Sequence, residues 1–202
     1  LRLFARVVGA AGPDTLVDAS VCDCCHTGLA VFPYDSALLT YRGRTKDEIR
    51  DIHVAAWDRN QWSPGRVLNA DDWRINGCPV NGPRITSAGG QAAVVWFTAA
   101  DNAPRVQVST SPDAGRRFLI PQRIDLGHAL GRPDTCMLRD GSVLAAWLEG
   151  GGTPGLYLRR ISPSGELFAP VRLAITKGGR DGGYPRMILV KDYDATPAQV
   201  IV

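Results

Sequence analysis

The stretch Ser111-Pro112-Asp113-Ala114-Gly115-Arg116-Arg117-Phe118 decides the fold of this chain. Its residue types specify a tight turn. An Asp side chain folds back on backbone N–H groups, a glycine takes a backbone conformation that other residues resist, and the aromatic that follows packs between strands. Weaker versions of the pattern lie on either side. They are Asp58-Arg59-Asn60-Gln61-Trp62 and Ser162-Pro163-Ser164-Gly165-Glu166-Leu167-Phe168. Trp62, Phe118 and Phe168 are 56 and 50 residues apart, and each is followed by a proline and then by an Arg-aliphatic pair.

The surroundings of these turns repeat as well. Two apolar strand-like runs precede each one: Ala37-Leu38-Leu39-Thr40-Tyr41 with Asp51 to Trp57, Ala93-Val94-Val95-Trp96-Phe97 with Arg105 to Ser109, and Leu144-Ala145-Ala146-Trp147-Leu148 with Leu156 to Arg160. A further strand follows each turn, and another opens each unit near Gly28, Pro83 and Pro133. Four short strands in roughly 50 residues is the period of a β-propeller blade. The expected fold is therefore all-β, a propeller of four-stranded antiparallel blades. A single domain over residues 1–202 holds blades at 28–69, 83–125 and 133–175, with part of a fourth at 185–202. The content of 22 Gly and 14 Pro suits many strands joined by turns.

Composition narrows the partners. The net charge is +3 with both signs interspersed and no Lys/Arg block, so a nucleic-acid partner is not expected. No apolar run approaches the roughly 18 residues of a membrane span.

The 111–118 stretch resembles the Asp-box (BNR repeat) of sialidases and related propellers, Ser/Thr-x-Asp-x-Gly-x-x-Trp/Phe, with Ser111, Asp113, Gly115 and Phe118 at its defining positions. The resemblance implies six blades in a complete ring, so protein subunits or further blades are expected to complete this one. Strands in a blade run alternately up and down. The loop that opens each blade and the loop between its second and third strands therefore share one face, opposite the 111–118 turn. Residues 22–27, 73–82, 128–134 and 180–186 open the blades, and residues 42–51 join them. A ligand, a glycan or another small molecule, is expected on that face.

Sialidases hold a substrate carboxylate with three arginines and use an Asp as acid/base beside a Tyr nucleophile activated by a Glu. The run from Leu38 to Glu48 resembles the stretch that carries one such Arg and then the acid/base Asp. On that match Arg44 binds carboxylate and Asp47 carries the proton. Arg84 and Arg186, beside Pro83 and Pro185, stand as further arginines, and Tyr184 is placed by position. Trp73, in Asp71-Asp72-Trp73-Arg74, either stacks on a sugar ring or covers its loop. The chain departs from the family where the first blade opens, because a cysteine cluster occupies the place of an Arg-Ile-Pro motif. It also lacks a convincing Tyr–Glu pair. The resemblance thus implies a ligand-binding face, with hydrolysis if further blades supply the nucleophile. The alternatives are a metal- or redox-binding propeller and a scaffold subunit.

The cluster Cys22-Asp23-Cys24-Cys25-His26 has three readings. Cys-x-x-Cys-His formally matches a c-type haem attachment, but a haem needs a large apolar pocket. Zinc or copper suits thiolates and imidazole, with Cys22, Cys25, His26 and Cys78 as the quartet, since adjacent Cys24 and Cys25 do not readily share one ion. A disulfide from Cys78 to one member of the cluster would pin two neighbouring loops, and an exported protein, periplasmic or extracellular, permits it.

Overall fold

A computed structural model describes residues 1–9, 12–58, 61–178, 182–191 and 199–202. A hairpin of β1 (Leu3–Ala5) and β2 (Thr15–Asp18) leads into the first blade, which contains β3 (Gly28–Phe32), β4 (Ser36–Arg42) and β5 (Ile52–Asp58). Its fourth position is split between β6 (Gln61–Trp62) and β7 (Arg66–Asn69), both paired to β5. The second blade is β8 (Arg84–Ala88), β9 (Gln91–Thr98), β10 (Arg105–Ser111) and β11 (Gln122–Arg123). The third is β12 (Ala129–Met137), β13 (Val143–Glu149), β14 (Gly155–Ile161) and β15 (Val171–Ile175). A hairpin of β16 (Ile188–Lys191) and β17 (Gln199–Ile201) begins another unit. Every described strand pairing is antiparallel, and a 3-10 turn at Ala100–Asn102 follows β9.

The opening strands β3, β8 and β12 stand side by side, as the innermost strands of successive propeller blades must. Ser87 Oγ on β8 donates to the Val31 carbonyl on β3 at 2.8 Å, and Met137 N on β12 donates to Thr86 Oγ1 on β8 at 3.0 Å. The middle strand β9 is sandwiched between the first and third blades. That is why β9 reads Ala-Ala-Val-Val-Trp-Phe, a continuous apolar run rather than an alternation. Trp96 and Trp147 are fully buried, and each indole N–H still finds an acceptor, Asp71 Oδ2 at 2.8 Å and Glu149 Oε2 at 2.6 Å.

The 111–118 turn lies between β10 and β11, away from the loops that open the blades. Ser111 Oγ accepts from Gly115 N at 2.8 Å, and Asp113 Oδ1 accepts from Arg117 N at 2.9 Å. Gly115 has φ 78°, and a Cβ there would fall 1.9 Å from Leu38 Cδ1 in the first blade. Phe118 packs between the blades, against the clusters that contain Leu38 and Trp96. The turn therefore sets blade spacing as well as strand reversal. The copy in the third blade keeps the frame, with Ser162 Oγ accepting from Glu166 N at 2.9 Å and Ser164 taking the Asp position. In the first blade Trp62 packs on Trp57, and Arg59 and Asn60 lie outside the described residues.

Two details differ from the expectation. The third blade starts earlier, because β12 already begins at Ala129 and passes through a bulge with Gly131 and Arg132 at positive φ. The loop expected at 128–134 thus shrinks to its first residue. The β1–β2 hairpin was not anticipated, since its strands are too short to show periodicity.

Hydrogen bonds from Arg117, backbone and then side chain, hold the Asp113 carboxyl at about 2, below the ordinary 3.8. A depressed carboxylate stabilises the fold above its unfolded pKa, and that contribution is lost as pH falls through the folded value. Asp113→Ala should lower the urea midpoint above pH 3.8, and the gap to the parent protein should close as pH falls through about 2.

Candidate functional site

The site is organised around a side chain that ends β4. Arg42 is 1% exposed, and carbonyls accept from all three nitrogens of its fork. Nε and Nη2 donate to Asn81 O at 3.0 and 2.8 Å, Nη2 also donates to Phe97 O at 2.6 Å, and Nη1 donates to Arg50 O. The guanidinium lies over the Trp73 ring, 4.8 Å from its centroid, while Phe97 packs edge-on to the same indole. Trp73 is therefore buried, and Arg42 occupies a face that a sugar would need; the residue covers its loop. Asn81 extends the link, with Oδ1 accepting from Arg132 N at 2.6 Å and Nδ2 donating to Leu130 O at 3.4 Å. One asparagine in the second opening loop thus ties the first blade to the third.

The cysteine cluster lies in the first opening loop. Cys24 and Cys78 form a disulfide that joins the first two opening loops. Cys22 Sγ is 3.0 Å from Cys25 Sγ and 3.6 Å from Cys24 Sγ, and Arg50 Nη1 donates to it at 3.4 Å. The hydrogen bond between Cys22 and Cys25 is the main cause that holds the Cys22 thiol at about 5; burial opposes it, and Arg50 assists. The same bond, with burial, pushes the Cys25 thiol up. The quartet of Cys22, Cys25, His26 and Cys78 is corrected here. The sulfur of Cys24, not the imidazole of His26, completes the group within 4.8 Å, and Cys78 is bonded to Cys24.

The loop between β4 and β5 meets these loops, with Ile75 N donating to Glu48 O at 3.0 Å and Arg50 N to Trp73 O at 2.9 Å. Glu48, which the sequence reading passed over, is its centre. Oε1 accepts from Arg44 Nη2 and Oε2 from Arg50 Nη2, both at 2.7 Å, and these arginines, Arg44 first, hold its carboxyl below the usual range. Arg44 is thereby committed to Glu48, and Asp47 is exposed beside it.

A second cluster forms where the inner strands begin. Pro83-Arg84, Pro133-Asp134 and Pro185-Arg186 occupy equivalent places in successive units. Asp134 lies 3.6 Å from Arg84 Nε and 3.5 Å from Arg186 Nε, and it accepts from Met187 N at 2.6 Å. Tyr184 packs edge-on to His26 with centroids 6.4 Å apart and lies under Arg132 at 4.7 Å. Burial, then Arg84 and Arg186, lower His26 to about 4, so it is neutral and adds no charge. Arg84 Nε and His26 Nε2 are both buried without a hydrogen bond. Gly82 lets the two opening loops touch, since a Cβ would fall 2.1 Å from the His26 carbonyl oxygen. Asp134 had no assigned role in the sequence reading, although the recurring Pro-charged pair marks its place. Arg180 and Asp181, expected in the fourth opening loop, lie outside the described residues.

No protein-family model matches the sequence, and no curated protein matches it. Solved structures do. A mutant of the GH43 protein BlXynB from Bacillus licheniformis is 14% identical with a TM-score of 0.51, over 80% of this chain and 33% of that one. A Hadza microbial sialidase is 20% identical with a TM-score of 0.47, over 72% of this chain and 37% of that one. A xylan beta-1,4-xylosidase from Bacillus halodurans is 11% identical with a TM-score of 0.49, over 78% and 33%. The likeness to BlXynB is one of fold. This chain spans about a third of the length of these proteins. Among the described residues, no helix is long and apolar enough to cross a membrane.

Truncating Arg42 would strip buried carbonyls of their donors, at roughly 1–3 kcal/mol for each acceptor left unsatisfied. Arg42→Ala should therefore destabilise the protein by about 3 kcal/mol or more in chemical denaturation. Arg42→Lys should recover little of this, because an ammonium lacks the planar fork.

Proposed function

We propose that the blade-opening face binds an acidic sugar. Arg84 and Arg186 bind its carboxylate, and His26 and Tyr184 form the wall beside them. The observation that carries this reading is the state of Arg84. Its Nε is buried without a hydrogen bond, and the nearest carboxylate, Asp134, is shared at ion-pair distance with Arg186. A guanidinium in that state has donor capacity in reserve for a planar anion. Among the described residues, Arg84 and Arg186 share one carboxylate at ion-pair distance, that of Asp134, and Arg132 lies nearby over Tyr184, so positive charge is in excess among these groups.

The reading is one of binding. Arg44 is paired with Glu48 through Nε and Nη2, and Tyr184 lies against Arg132 and His26. Sialidase-type hydrolysis, with Asp47 as acid/base, belongs to an assembly in which further blades contribute the nucleophile. The exposed apolar side chains of Leu29 and Val31 on β3, and of Val171, Leu173 and Ile175 on β15, favour such neighbours, from the same protein or a partner subunit. The Cys24–Cys78 disulfide favours an exported, periplasmic or extracellular, setting.

Titration calorimetry with N-acetylneuraminate, glucuronate and galactose tests the reading. Binding is expected for the two acids and not for galactose. Arg84→Ala or Arg186→Ala should weaken it by roughly 10–100-fold, the worth of a charge-assisted hydrogen bond. Affinity for the acids unchanged in both variants would refute it.

A further inference from the structure

We propose that Cys22, Cys24, Cys25 and Cys78, once the Cys24–Cys78 disulfide is reduced, bind one soft d10 cation, Zn(II) or Cu(I), through their sulfurs. The centre is separate from the arginine cluster and does not rest on the sugar-binding reading.

Geometry carries the proposal. The sulfurs of Cys22, Cys24 and Cys25 all lie within 4.8 Å of one another, and Cys78 is bonded to the group. Cys24 and Cys25 thus present their sulfurs to one place although they are adjacent in sequence. Tetrahedral thiolates at a metal–sulfur distance of about 2.3 Å stand roughly 3.8 Å apart. The Cys22 sulfur is 3.0 Å from Cys25 and 3.6 Å from Cys24, so these contacts need to open by less than an ångström. The loops that bring the sulfurs together are held by other means. Arg42 bonds to Asn81, Arg50 N to Trp73 O, and Gly82 packs against His26. Reduction of the disulfide therefore leaves the four residues facing one another.

Charge supports the same site. Arg42 is buried with only carbonyls on its donors, and Arg50, 3% exposed in its side chain, points one N–H at Cys22 Sγ. Arg50 is paired with Glu48 as well as with Cys22, whereas Arg42 has no carboxylate on its donors, so one buried guanidinium is left without a bonded counter-charge. Four thiolates around a divalent cation carry a net charge of minus two, which Arg42 offsets in part and the Arg50 N–H on Cys22 stabilises further. Sulfur donors select a soft cation, and the only acidic side chain within the cluster sequence, Asp23, is exposed. In the reducing step a dithiol donates two electrons and two protons to Cys24 and Cys78 and becomes a disulfide itself. Metal binding then releases one proton to solvent for each sulfur that is still protonated.

The test uses the whole chain, reduced anaerobically with dithiothreitol, desalted, and offered Zn(II) or Cu(I) against a competing chelator. Native mass spectrometry should show one ion per chain with at least one of the two metals. Peptide mapping after alkylation should find Cys22, Cys24, Cys25 and Cys78 protected in the loaded protein and modified once the metal is removed. Cys22→Ser and Cys25→Ser should lose the ion, and Cys136→Ser, in the third blade, should keep it. Arg50→Ala should weaken retention by roughly 10–100-fold, as loss of an outer-shell partner does. Failure of the reduced parent protein to retain either metal would overturn the proposal. So would retention without protection of Cys22 and Cys25, a readout that needs no variant to fold.

Discussion

A buried positive charge without a carboxylate on it is the constraint around which this face is built. Arg42 lies at the end of a strand, so it emerges where the first blade meets the loop that opens the second. Its donors are satisfied by carbonyls, of Asn81 and Arg50 in loops and of Phe97 near the end of β9. The loop geometry then follows. Asn81 must present its carbonyl inward, which turns its side chain toward Arg132 and Leu130 of the third blade. Trp73 must lie under the guanidinium, which closes the interior beneath the loop. The cysteines and the axial arginines both hang from this arrangement.

The division of labour between the two faces has a physical basis. The 111–118 turn uses short-range bonds, from Ser111 and Asp113 to residues four positions on, and one aromatic wedged between blades. Such a turn stabilises blade spacing wherever it occurs and needs nothing from distant residues. The opposite face uses long-range contacts, such as Arg42 to Phe97 and Arg132 to Asn81, and holds polar groups together that would otherwise repel or lack partners. Charged groups in reserve, such as Arg84, are tolerated there because rigid neighbouring blades hold them.

The sequence shows the fold because the fold is local and repeated. Trp62, Phe118 and Phe168 recur in phase, and the apolar runs of β4, β9 and β13 stand at one place in each unit. The site was legible only as a neighbourhood. The loops could be assigned to one face, and Cys78 to the cluster, but not which side chain of each loop turns inward. Arg42 and Arg44 illustrate the difficulty. They are two residues apart, and the family resemblance favours Arg44, yet Arg42 is the one whose position reaches Asn81, 39 residues away. Glu48 then takes Arg44 as a surface partner. Likewise, His26 and Cys24 both suit a metal, and only the turn of the backbone decides which one meets Cys22 and Cys25. Asp134 joins two arginines from different units, a relation that spacing along the chain does not encode.

The chain has three histidines, and each reports on a different place. His26 borders the arginine cluster, His53 packs against Tyr41 in the first blade, and His128 is exposed ahead of the third. Ring-proton NMR during titration with N-acetylneuraminate therefore tests most directly whether the blade-opening face is the binding site. The account predicts that the His26 resonances shift and saturate while those of His53 and His128 stay in place. A saturating shift at His128 or His53 with His26 unmoved would contradict it.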